Sequence, residues 1–209
     1  MRGRRSHAAL AAALLLAGCT ALQAVPQVRT FRITYRPPEA LAALALPVTV
    51  RVLPFGIASA YDSQSFLYRT GPYDVGIDYY NRWVGDPAHM IADLVARDLA
   101  AANVVTAVVQ TPSALPTDYE LSGHIETLEE RDESSSGTAH LRLRTVVVRV
   151  PPQGPRYVVL QEGDAADAPC TPADPASYAA AMSSAVQQVS DHIRAGLVQA
   201  ITADLARPQ

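Results

Sequence analysis

Lysine is absent from this chain; all 17 basic side chains are arginine. Together with the abundant alanine, this reflects genomic composition, and no function is read from it. Cysteine is almost absent as well. Cys19 and Cys170 are the only two, and if Cys19 is engaged elsewhere a disulfide framework is excluded. The motifs of familiar chemistry are missing too. There is no His-Glu-x-x-His, no paired cysteine, no glycine-rich phosphate loop and no Gly-x-Ser-x-Gly. His89, His124, His140 and His192 have no cysteine or second histidine at metal-ligand spacing. His124 and His140 are expected to face each other across a hairpin, as an exposed pair and not a metal site. Asp74 and Asp78 read as solvated acids on one strand face, and Ser134-Ser135-Ser136 as a loop tip without a base. The expectation is a protein without catalysis, metal or cofactor. Net positive charge is also lacking. At a formal charge of −3 the chain is a poor candidate for nonspecific nucleic-acid binding.

Long apolar runs are missing except at the start. Arg2, Arg4 and Arg5 precede an unbroken apolar run over residues 8–16, the length of a signal-peptide core and too short to span a bilayer. Leu16-Ala17-Gly18-Cys19 closes it and reads as a lipobox, with cleavage between Gly18 and Cys19 and lipid on Cys19. The alternative is an ordinary secretory leader in which the cysteine falls by chance. Cleavage would leave 191 residues and, with three arginines removed, a charge of −6. The expected organisation is a leader over residues 1–18, a lipidated cysteine and tether over 19–30, and a single domain over 31–209. Thr20, not aspartate, follows the cysteine, which favours the outer membrane, facing the periplasm.

The remaining chain alternates strand and helix signals. Residues 31–36 and 48–55 read as strands from their period of two. Seven of the thirteen aromatic residues fall between Tyr61 and Trp83. Residues 66–69 and 73–80 read as two strands around Thr70-Gly71-Pro72, with Tyr73, Val75, Ile77 and Tyr79 on one face. This hairpin is either aromatic core or a surface for a partner or lipid. Asp86-Pro87 starts a helix that ends near Asn103. Residues 104–110 read as a strand buried on both faces. Residues 118–129 and 138–150 form a long hairpin, with opposite charges across its outer face and a charged, serine-rich, mobile tip over 130–137. A last strand covers 156–161, and an acidic loop over 162–174 holds Cys170. Asp174-Pro175 starts a helix to about Ala206. Its stripe of Tyr178, Met182, Val186, Val189, Ile193, Leu197, Ile201 and Leu205 reads as core, or else as a coiled-coil seam. The sum is an α+β fold: a mainly antiparallel sheet with two amphipathic helices packed on one face.

Cys19, the strand around Tyr35, Phe66-Leu67-Tyr68-Arg69, and Tyr79-Tyr80-Asn81-Arg82-Trp83 running into Asp86-Pro87 and its helix carry a family pattern. Over nearly the whole mature chain it resembles the ABC-type transport auxiliary lipoproteins, the PqiC-like group. That resemblance implies a lipid-anchored periplasmic accessory of an ABC/MCE-type lipid transport system. Its partners would be an MCE-family protein and ABC transporter components, with the membrane reached through Cys19. It implies no catalysis and leaves self-association open. Tyr79, Tyr80 and Trp83 are the first candidates for the partner surface. The alternatives are a lipid-binding carrier and a pilot-type envelope lipoprotein.

Overall fold

The structure, a computed structural model, describes residues 27–41, 45–133 and 136–207. The leader, Gly18, Cys19, most of the tether and two serines of the hairpin tip lie outside those residues.

Among the described residues nine strands make one sheet: β1 (Arg29–Phe31), β2 (Leu46–Val52), β3 (Gly56–Ile57), β4 (Ser65–Arg69), β5 (Val75–Trp83), β6 (Val105–Gln110), β7 (Tyr119–Glu133), β8 (Ser136–Arg149) and β9 (Tyr157–Cys170). Helix α1 (Pro87–Ala101) joins β5 to β6, and α2 (Pro175–Leu205) closes the chain. Strand β7 is the spine. One of its edges takes β2, β3 and β4 in succession, all parallel; the other takes β8, antiparallel. Beyond β2 lies β6, and beyond β4 lie β5 and then β1. The α+β class stands, and most of the ladder is antiparallel, but the sheet is mixed and not purely so. The hairpins β4–β5, β7–β8 and β8–β9 are antiparallel. The segment from β2 to β4 runs alongside β7 in the same direction, and periodicity carries no information on that direction.

Both helices begin as their sequences dictate. Asp86 and Asp174 accept from the backbone N–H groups of Ala88 and Ala176, at 2.8 and 3.0 Å, with proline in each first turn. After α1, Asn103 adopts φ 53°, a left-handed conformation that asparagine tolerates well. The stripe of α2 is buried from Tyr178 to Ile201 and packs on β8 and β9, so it is core; Leu205 is exposed.

Several features differ from expectation. The first strand ends at Phe31, because Thr34 N–H and the Tyr35 hydroxyl bond to Ser183 and Asp98 on the helices instead of to a ladder. Strand β6 is a sheet edge, paired only with β2, and is not buried on both faces: only Val105 is buried and Thr106 and Gln110 are exposed. Strand β9 runs to Cys170, through the stretch expected to be a loop. Asp164, Ala166 and Ala168 turn inward while residues 165, 167 and 169 stay exposed. Pro169 is accommodated because β9 is an edge. In the long hairpin, a bulge after Ile125 shifts the register, so Leu128 returns to the core opposite Leu141. Before the bulge His124 stands opposite Arg144, and after it His140 stands opposite Glu129, so the two histidines do not face each other.

Candidate partner interface

Strand β5 carries the surface of interest. Its outer edge is covered by β1 only from Asn81 to Trp83. From Val75 to Tyr80 no described strand pairs with that edge. Along and just before this open edge, Tyr73 is 98 % exposed, Val75 51 %, Ile77 45 %, Tyr79 71 % and Tyr80 48 %. These five are nearly half of the large exposed hydrophobic residues among those described. A run of apolar side chains on an unpaired strand edge is an unusual exposure for a folded domain.

The exposure of both Tyr79 and Tyr80 has a local cause. Ser65 pairs with Arg82 but Phe66 pairs with Asp78, so residues 79–81 bulge out of the ladder. The Asp78 carboxylate holds the bulge, accepting from Tyr80 N, Asn81 N and Asn81 Nδ2 at 2.9, 3.0 and 2.7 Å. Alternation would have sent one tyrosine inward; the bulge sends both outward. It also turns Trp83 fully into the core, where its ring lies 4.4 Å from Phe66 and 5.7 Å from Tyr178. Trp83 is therefore no part of a surface, which corrects the expectation for that residue. Tyr73, Val75 and Ile77 join Tyr79 and Tyr80 instead. Their shared face is visible in the sequence; its orientation away from the core is not. Beneath the ledge, the Tyr68 ring lies over Gly76, where an added Cβ would come within 2.2 Å of it.

Beside the ledge, Asp78, Glu130 and Asp132 line a pocket of about 340 Å³ with Phe66, Tyr68 and Asn81. Glu130 was expected at a solvated tip but is 8 % exposed. Burial, and then the neighbouring Asp132, push its carboxyl up from 4.5 to about 7. The Cys170 thiol, 3.5 Å from Glu130, is pushed up to about 12 by burial and that same carboxyl, so it stays protonated and poorly nucleophilic. Between pH 4.5 and 7 the folded protein holds a proton on Glu130 that the unfolded chain has released. Stability is therefore expected to fall as pH rises through that window. Glu130→Gln should remove the slope and raise stability at pH 8 by on the order of 2 kcal/mol, read by urea unfolding at a series of pH values. An unchanged slope would contradict the burial of this carboxyl.

Most of the other buried carboxylates are matched by donors; Asp164 is not, since its Oδ2 is buried without a hydrogen-bond partner. Glu129 receives Arg69, Arg131 and Tyr61 at 2.7, 3.0 and 2.8 Å. Asp204 receives Tyr119 at 2.9 Å, and Tyr157 bonds it as well. His140 pairs with Asp167 across β8 and β9. Glu126 meets Arg142 and Arg144 across the hairpin, the expected pairing of opposite charges. Among the described residues no three His, Cys, Asp or Glu side chains are grouped to hold a metal ion. No described helix is long and apolar enough to cross a membrane.

A mixed sheet with β7 as spine and two helices behind it is a fold already seen. Protein XCC0632 from Xanthomonas campestris, of the DUF330 family, superposes with a TM-score of 0.77 at 20 % identity, over 86 % of this chain and all of its own. The hypothetical protein CT253 from Chlamydia trachomatis superposes at 0.54 and 12 % identity, over 75 % of this chain and 99 % of its own. No curated protein matches by sequence. The chain belongs to the ABC-type transport auxiliary lipoprotein component family, whose model matches residues 30–194. It is thus an auxiliary component of ABC-type transport from a lipoprotein family.

Proposed function

We propose that this protein is a non-catalytic, lipid-anchored accessory of an ABC/MCE-type lipid transport system. Cleavage between Gly18 and Cys19 makes the lipid-bearing Cys19 the first residue, and the lipid holds the domain at the outer membrane, facing the periplasm. There it docks the transporter's MCE protein. The observation that carries this reading is the ledge from Tyr73 to Tyr80, an apolar strand edge that no described part of the chain covers. Such an edge offers a partner backbone hydrogen bonds and tyrosine anchors together. A carrier of free lipid is a weaker fit. A pocket of about 450 Å³ is lined by Arg51, Asp118, Glu120 and Arg156, and the ledge pocket by three carboxylates. Neither lining suits an acyl chain.

The test is retention of candidate MCE proteins by the immobilised domain. Wild type is expected to retain one. Tyr79→Ser with Tyr80→Ser should weaken binding about thirtyfold, the scale of interface anchors at ~2 kcal/mol. Both tyrosines are exposed, so the unfolding midpoint should not move. Equal retention by the double variant, or none by wild type, would count against the docking role.

A further inference from the structure

Eleven of the fourteen described arginines lie within 4.0 Å of a carboxylate. The three that do not are Arg29, Arg32 and Arg82. They are not scattered. Arg29 opens β1, Arg32 follows its end, and Thr30 between them pairs with Arg82 on β5. Arg29 and Arg32 are exposed, and Arg29 lies over the Phe31 ring, 5.0 Å from its centroid. The Arg82 Nε is buried without a partner. Two exposed valines, Val28 and Val84, flank the same corner at 51 % and 61 % exposure. In a chain whose mature part carries −6, this is a local excess of positive charge with no carboxylate partner among the described residues.

The corner is also where the chain joins the sheet. Val28 stands nine residues after Cys19, and nine residues extend at most ~30 Å. An acylated Cys19 would therefore keep this corner within ~30 Å of the headgroups. Guanidinium groups recognise phosphate in a forked geometry, and exposed valines can enter the headgroup boundary. We propose that Arg29, Arg32 and Arg82 form a docking corner for an anionic bilayer surface, which sets the domain upright on its membrane. The orientation, though not the phosphate contact, rests on the anchored reading above. With the corner on the membrane, the ledge of β5 stands beside the bilayer, open to a partner.

The test uses residues 20–209, which retain every described strand and helix, mixed with vesicles. Without Cys19 no acyl chain contributes, and with no transporter present a failure here leaves the docking of MCE protein untouched. The domain should partition onto phosphatidylglycerol–phosphatidylethanolamine vesicles and not onto phosphatidylcholine, with binding lost at high salt. At about fivefold per arginine, Arg29→Gln with Arg32→Gln should lower partitioning roughly twentyfold. Those two side chains are exposed, so folding is not at stake; adding Arg82→Gln should bring the loss to on the order of a hundredfold. Arg142→Gln with Arg144→Gln removes the same charge from paired positions and should partition as wild type does. Equal binding to both vesicle types, no binding to either, or an equal loss in the Arg142/Arg144 variant would overturn the proposal.

Discussion

Trp83→Ala is expected to cost about 3–5 kcal/mol of folding stability, the range for removing a buried tryptophan. Trp83 is fully buried between Phe66 and Tyr178, and Phe66 also meets Phe31 at 5.2 Å, so four elements (β1, β4, β5 and α2) share one aromatic cluster. A small domain has about 5–15 kcal/mol in total, so this loss brings it near the threshold. Trp83→Phe should be far milder. The indole Nε1 has no hydrogen-bond partner, so the smaller ring gives up volume but no polar contact. Trp83 is the only tryptophan, so its own fluorescence reports the wild-type transition, with circular dichroism following the variants. Loss of partner binding in Trp83→Ala should track unfolding. An alanine variant within about 1 kcal/mol of wild type would contradict the packing described.

Asp98→Ala is expected to cost a similar ~3–5 kcal/mol, for a different reason. Asp98 is 1 % exposed and accepts from the Tyr35 hydroxyl and Ser190 Oγ, each at 2.7 Å, and from Arg97 Nε and Nη2 at 2.9 and 2.7 Å. The carboxylate ties the segment after β1 to both helices. Its removal leaves two hydroxyls and a guanidinium turned toward an empty acceptor. The attachment is visible from the other side too. Burial and then Asp98 push the Tyr35 phenol well above its ordinary range. Tyr35→Phe alone should cost only about 1 kcal/mol, the net worth of one hydrogen bond. Added to Asp98→Ala it should cost almost nothing further, and this non-additivity is the measurement that identifies the network. Independent, additive losses would show that the two side chains do not act together.

Elements with strong local signals are legible in the sequence. Both Asp-Pro helix starts, the seven-residue stripe from Tyr178 to Ile201 and the long hairpin are where local chemistry places them. What escapes sequence reading depends on partners distant in the chain. Strand β9 reads as loop because Ala, Asp and Gly are poor strand formers; pairing with β8 along its whole length overrides that preference. The parallel neighbours of β7 leave no periodic trace. The ledge is half legible. The alternation from Tyr73 to Tyr79 announces a one-faced strand, but only the three-dimensional path shows that the face looks outward. Trp83 is misjudged because the bulge held by Asp78 breaks the phase of the strand just before it. The uncompensated arginines leave no mark at all, since pairing is a property of space and not of order.

The spine strand also sets a timetable. Its three parallel neighbours are made 62 to 69 residues ahead of the positions they pair with. Until residue 119 and beyond have been synthesised, β2, β3 and β4 have no β7 to settle on. Contacts so remote in sequence require a large loop to close first, which makes folding slow. An N-terminal half that cannot fold ahead of time is one that can still be threaded, unfolded, through a narrow translocation channel.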